Sequence, residues 1–335
     1  MKNGLFETVS ARFAVGEIPA LTEQYRVWLE KKPLAGCRIL DAAPVFFNTC
    51  VKYAVLIAAG ADLTVTYSPR LPWDQDAVRF LEQHQVNVIP EIREGVFDVI
   101  LDCGALHRHI ACNYGAVELT RSGVDPWTAD GRNVFLADSG ALKHFETCLG
   151  TGESCLRALR HLGYGPFNGS RVLLFGHGKV GQGIHMYFCR AGAVVTVVDA
   201  QNCMDETFVR SAIAEADFII TATGVAQAHI RYADALTASG AVLGNMGVDD
   251  EFGDAVPADR VLNRKKTLNF LLEEPTLTRY IDPVLALHNA GAEILLKTPP
   301  GTGAFVPGKE IEREIVSAVK RAGVITADEL EMIRL

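Results

Sequence analysis

The chain has 335 residues, enough for two domains that each bury a core, which excludes a small scaffold stapled by disulfides or metal. Hydrophobic residues make up 49% and charged residues 21%, with 30 Gly and 14 Pro, a globular composition without long disordered tracts. A net charge of −8 supplies no basic field for nucleic acid or an anionic membrane, so neither partner is expected.

The N-terminal segment carries Glu7, Glu17 and Glu23 and lacks an apolar run of signal-peptide length, and no stretch reaches the roughly 18 apolar residues that span a bilayer. A cytoplasmic protein is therefore expected. A helix is predicted over about Glu17–Lys32. Short apolar runs follow at Arg38–Leu40, Leu63–Tyr67, Val86–Ile89 and Phe97–Leu101, each reading as a buried parallel strand, with helical periodicity at Val45–Ala59 and Asp74–His84. Eight cysteines are scattered without a C-x-x-C pair or zinc-finger spacing, so they read as reduced, mostly buried residues, and no metal site is expected.

Gly150-Thr-Gly152 opens a second block. A helix is predicted at Glu153–His161 and strands at Arg171–Phe175, Val194–Val198, Phe218–Thr221 and Ala241–Leu243, with a further strand near Thr267–Leu271. The tail reads as helices at Pro283–Leu296, Lys309–Ala322 and Ala327–Arg334, the Pro/Gly loop Thr298–Gly303 separating the first two. The expected fold class is α/β, with two α/β domains and C-terminal helices. Residues 1–150 form a substrate-type domain completed by helices of 282–335, and 151–280 form a Rossmann dinucleotide-binding domain.

The strongest local signal is Gly176-x-Gly178-x-x-Gly181, which follows a predicted strand and opens a predicted helix. Glycine serves a tight turn at the first position, close approach of a pyrophosphate at the second and helix–strand packing at the third, while the helix start, with Lys179 and Val180, offers free N–H groups. Asp199 ends the next strand, where an acid accepts hydrogen bonds from ribose hydroxyls, which points to NAD as cofactor rather than NADP. Thr223-Gly224 and Met246-Gly247 each follow a strand and are expected to face the nicotinamide half.

From end to end the order of segments resembles adenosylhomocysteinase. The stretches that carry the likeness are Glu17-Ile-Pro-Ala-Leu, Lys32-Pro-Leu-Ala-Gly-Cys-Arg-Ile39, Ile57-Ala-Ala-Gly-Ala61 and Val99-Ile-Leu-Asp-Cys103, followed by Ala137-Asp-Ser139 running on to Gly150 with Glu153-Ser154. Further on, Thr221-Ala-Thr-Gly and Asn245-Met-Gly-Val-Asp-Asp250 match the family's T-T-T-G and N-I-G-H-F-D loops. Ile281–Asn289 and Val306–Glu314 resemble its last helices.

The resemblance implies NAD bound through Gly176, Gly178, Gly181, Asp199, Thr223 and Asn269, with Thr120 and Ser122 standing where the family uses threonines. It also implies self-association into a homo-oligomer. The family's acids and bases are largely replaced: Pro44 stands for a substrate-loop histidine, Cys103 for the second Asp of D-D, Leu119 for a Glu, Leu142 for a Lys, Thr147 for an Asn, and Val248 and Thr276 for histidines.

Candidate catalytic groups are Lys143 with Glu146, a lysine–carboxylate pair displaced by one position from the family's lysine, then His144 and Asp102. Arg121 could hold a carboxylate or phosphate, and His107-Arg108-His109 resembles a metal-binding pair without a third ligand. A kept cofactor site with altered acids points to an NAD-dependent oxidoreductase acting on a hydroxyl or carbonyl carbon of a small metabolite or nucleoside. A divergent hydrolase and a catalytically silent NAD-binding protein are the alternatives.

Overall fold

Apolar runs of four to eight residues alternating with helices can bury both faces only by pairing in parallel beneath layers of helix, and the chain does this twice. The structure, a computed structural model, describes residues 4–331. It divides into two compact units, one running to His144 and resuming at Thr278, the other Phe145–Leu277. The end of the helix expected to reach Arg334 lies outside the described residues.

In the first unit the strands are β1 (Arg38–Asp41), β2 (Asp62–Tyr67), β3 (Asn87–Pro90), β4 (Val96–Asp102), β5 (Ala111–Glu118) and β6 (Val134–Leu136), with β11 (Ala304–Phe305) joining from the tail. All pair in parallel, in the order β3-β2-β1-β4-β5-β6-β11. β5, β6 and β11 are not among the expected strands. The first half of β5, Ala111–Tyr114, is largely exposed and carries no β-branched residue, while β6 and β11 have three and two residues, too few to show a period.

The second unit carries β7 (Arg171–Phe175), β8 (Val194–Val198), β9 (Phe218–Thr221) and β10 (Val242–Asn245), parallel in the order β10-β9-β7-β8. The strand expected near Thr267–Leu271 is instead a 3-10 turn, Leu268–Leu271, whose Leu268 and Asn269 are buried. Apolarity there serves the core without a ladder. In both sheets the order reverses beside the first strand, at β1/β4 and at β7/β9, and in such sheets ligands settle outside the carboxyl ends at the reversal.

The tail helix Thr278–Lys297 is buried along most of its length and contains Pro283. Gly291 allows it to lie against the sheet, because a Cβ there would meet Val117 and Phe135 at 2.8 Å. Its Asp282 is fully buried and accepts from Ala20 N at 2.8 Å and Leu21 N at 3.0 Å, satisfying the start of helix Pro19–Lys31, which has no side-chain cap of its own. No helix among the described residues is long and apolar enough to cross a membrane.

Burial pushes the Asp282 carboxyl up to about 7, against the two backbone N–H groups that favour its charge. The folded chain thus holds a proton, between about pH 4 and this value, that the unfolded chain has released. Its contribution to stability is complete below the unfolded pKa and lost as pH rises through 7. Asp282→Asn should therefore flatten the decline of the thermal midpoint across that window, measured by circular dichroism on both proteins, and an unchanged slope would assign the decline to other groups.

Candidate functional site

The turn after β7 shows two of the three glycine demands in the protein itself. Gly176 has φ +91°, and a Cβ there would lie 2.4 Å from Ala222 O. At Gly181 a Cβ would sit 2.1 Å from Gly176 O, so only glycine lets the helix Lys179–Arg190 begin against the strand. Gly178 differs: it is the N-cap, exposed, with nothing within 4 Å of an added Cβ and no side chain capping the helix. Two glycines are pressed by protein while the middle one faces open space, which is the shape of a cradle for a group outside the chain. Val180 packs against the core and Lys179 is half-buried.

Asp199 stands just past β8, partly exposed, and its Oδ1 accepts from Gln201 N at 2.9 Å. The loops after β9 and β10 are organised by Glu251, a residue outside the sequence-derived candidates. Its fully buried carboxylate accepts from Thr223 N (2.9 Å), Thr223 Oγ1 (2.8 Å) and Gly224 N (2.7 Å). Gly247 leaves room for it, since a Cβ there would lie 2.3 Å from Oε1. Thr223 thus gives both of its donors to the protein itself.

Met246 is buried and donates its N–H to Thr221 O, while Asn245 donates from Nδ2 to Asp249 O (2.9 Å) and Lys265 O (2.7 Å). Asn269 is buried, donates to Pro275 O at 3.2 Å and leaves its Oδ1 without a hydrogen bond among the described residues.

At the carboxyl end of the first sheet two carboxylates play the same organising role. Asp102 accepts from Cys103 N, His107 N, His107 Nδ1 (3.1 Å) and Trp127 Nε1 (3.2 Å), wholly out of solvent. This candidate acid is spent on internal donors, and it also explains His107. Among the described residues no group of three His, Cys, Asp or Glu is placed to hold a metal ion. Glu118, also fully buried, accepts from Gly104 N, Ala105 N, Thr120 N and Thr120 Oγ1, all within 2.9 Å. Burial raises its pKa, followed by the charge of Asp102, against the Thr120 and Gly104 donors. Thr120 also contacts Ser122, with 3.2 Å between hydroxyls.

Lys143 and His144 are half-buried on the short helix Ala141–Phe145, Lys143 close enough to act on Cys103 and on His288 in the same unit. Glu146 is buried in the second unit and accepts from Thr147 Oγ1 at 3.2 Å. The Cys103 thiol is pushed up to about 12 by burial and by Glu118, so it is neutral near pH 7. Arg121 is an exposed residue held bidentately by Asp125 at 3.0 and 3.2 Å, a surface i, i+4 pair rather than a ligand clamp. Sequence reasoning missed the buried pair Lys52–Asp41 beside the β1 end, although a lysine inside the apolar run from Cys50 to Ile57 was the available signal.

No family model matches the chain. The adenosylhomocysteinase of Sulfolobus acidocaldarius is 28% identical over 272 residues, covering 69% of this chain and 64% of that protein. That of Thermococcus kodakarensis is 28% identical over 269 residues, with the same two shares. The chain is similar to adenosylhomocysteinases, then, and the match spans less than two thirds of the relatives' length. Among solved structures, a dipicolinate synthase subunit from Bacillus halodurans aligns with a TM-score of 0.48 at 13% identity, over 77% of this chain and 99% of its own. Salmonella D-lactate dehydrogenase aligns at 0.35 and 11% identity, over 68% and 76%.

Burial raises the Glu251 pKa, but His229 and the Thr223 and Gly224 donors outweigh it and hold the carboxyl below its ordinary value. A depressed carboxyl contributes stability above its unfolded pKa and loses it as pH falls through the folded value. Glu251→Gln should cost about 1–3 kcal/mol at neutral pH, by leaving loop donors unsatisfied, and should weaken the acid-side loss of stability below about pH 4.5. Urea unfolding at pH 7 and pH 4 measures both.

Proposed function

We propose that this chain is an NAD-dependent oxidoreductase that oxidises or reduces a hydroxyl or carbonyl carbon of a small metabolite or nucleoside. The observation that carries the reading is the glycine turn, closed by protein at Gly176 and Gly181 and open at Gly178. The pyrophosphate would rest on the N–H groups of Gly178, Lys179 and Val180 at the helix start, and Asp199 would accept from the adenosine ribose. That carboxylate repels a 2'-phosphate, which favours NAD over NADP. Thr223 and Gly224 would shape the far end of the crevice through backbone placed by Glu251, with Met246, Gly247 and Asn269 nearby in the same unit.

Bound NAD supplies a hydride acceptor or donor, leaving the protein to orient the carbinol carbon and move one proton. Lys143 is the favoured base. It is partly withdrawn from water and stands near the neutral thiol of Cys103. Glu146, three residues on in the chain, and His144 are secondary candidates, while Asp102 serves as a loop anchor. The substrate is a small molecule, and a cytoplasmic homo-oligomer remains the working expectation.

The similarity to adenosylhomocysteinases supports a second reading, thioether hydrolysis, for which positioned acids are also required. Three of the replaced positions give none: Cys103 is a neutral thiol, Leu119 is buried and apolar, and Val248 is an aliphatic side chain with 89% exposure.

The full chain should bind NAD more tightly than NADP in a fluorescence titration, and Gly178→Val should abolish binding of both while the fold survives by circular dichroism. Tighter NADP binding would overturn the Asp199 argument. A panel of nucleosides and hydroxy acids should include a compound that reduces bound NAD, with the rate lowered about 10²- to 10⁴-fold in Lys143→Met. Rapid release of homocysteine from S-adenosylhomocysteine would favour the hydrolase, and tight NAD binding without reduction by any compound the silent protein.

A further inference from the structure

Two histidines meet at the phosphate cradle, and neither belongs to the motif that marks it. His177 lies between Gly176 and Gly178 and is exposed, so its ring is outside the core. His185, on the helix that begins at Lys179, is half-buried, and its Nδ1 lies 3.1 Å from His177 Nε2, with ring centroids 5.2 Å apart. Gln182 Nε2 donates to His177 O at 3.2 Å, tying the turn to the first turns of the helix.

A nitrogen–nitrogen contact of this length is a hydrogen bond only if one nitrogen carries the proton and the other does not. Two neutral rings satisfy this in two ways, and each leaves one outer nitrogen bare, His177 Nδ1 or His185 Nε2. A third proton, taken from solvent, occupies that bare nitrogen, keeps the internal bond and gives the pair one positive charge with an extra N–H pointing outward.

We propose that His177 and His185 act as a binding element for the cofactor's pyrophosphate, taking up a proton as the phosphates dock on the Gly178 turn. The inference rests on the dinucleotide reading above and names residues that the reading does not require. Its physical logic is one of charge. The turn offers backbone N–H groups and a helix end worth roughly half an elementary charge, while a pyrophosphate brings two negative charges. Burial, and after it the neighbouring His177 ring, lowers the His185 pKa, so an added proton on that ring is disfavoured while nothing negative faces it. Lys179, at the start of the helix, is the nearest formal cation in sequence. An anion at Gly178 reverses the balance, because the outer nitrogens then gain a partner that favours the charged form. Binding and proton uptake are therefore linked.

Isothermal titration of NAD into the nucleotide-free full chain tests this, run at pH 6 and pH 8 in two buffers of different ionisation enthalpy. Docking that raises the pair's pKa by about one unit makes NAD bind up to about tenfold tighter at the lower pH, with a fraction of a proton taken up at pH 7. His177→Gln and His185→Gln should each bring the pH ratio close to one and remove the uptake. Adenosine, which lacks the phosphates, should show neither effect.

NAD binding with no proton uptake in the wild type, uptake that survives in both variants, or equal uptake with adenosine would each overturn the assignment and leave the dinucleotide reading standing. Failure of the wild type to bind NAD at either pH would overturn the dinucleotide reading itself.

Discussion

A carboxylate taken out of water must be met by donors, and this chain turns that demand into loop architecture. Asp102 and Glu118 in the first unit, and Glu251 in the second, have no solvent exposure and draw their hydrogen bonds mainly from backbone N–H groups of the loops that leave the strands. The loops after β4, β5 and β9 take their courses from these anchors. Small residues follow as a consequence: a Cβ on Gly123 would lie 2.1 Å from Glu118 Oε2, and one on Gly247 would be 2.3 Å from Glu251 Oε1. Asp282 applies the same device at longer range, satisfying the first turn of a helix at Leu21, 261 residues away in the chain.

Parallel sheets put all loops of one kind at one end, so anchoring those loops is the same act as building a ligand crevice. Each unit does this beside its first strand. In the second, the reversal at β7/β9 lies next to the open Gly178 turn. In the first, the ends of β1 and β4 carry Asp41 with its buried partner Lys52, and Asp102 with His107, while Cys103 stands under the influence of Lys143. The polar groups at the two ends differ in kind. Those of the second unit hold backbone in place and leave an opening, whereas those of the first are mostly internally paired.

The turn after β7 makes a steric demand for glycine at Gly176 and Gly181, whereas Cys103, Leu119 and Val248 carry neutral or apolar side chains. A backbone cradle has few solutions and tolerates little change. Proton-transfer groups answer to one substrate, and they can be exchanged without disturbing the fold that presents them.

Much of the architecture was legible from residue order. The strands β1, β2, β4 and β7 to β9 show as apolar runs because buried parallel strands tolerate few polar residues, and the glycine spacing shows because sterics at Gly176 and Gly181 admit no other residue. Tertiary structure alone decided the rest. β6 and β11 are too short to carry a period, and Leu268 is apolar because it packs in the core from a turn that has no strand to pair with. Glu251, Glu118 and Asp41 look like ordinary charged residues in the sequence, and Asp102 looks like a catalytic one. A carboxylate becomes an anchor or an acid according to the donors that surround it, and those come from loops remote in the chain, brought together only when the sheet has formed.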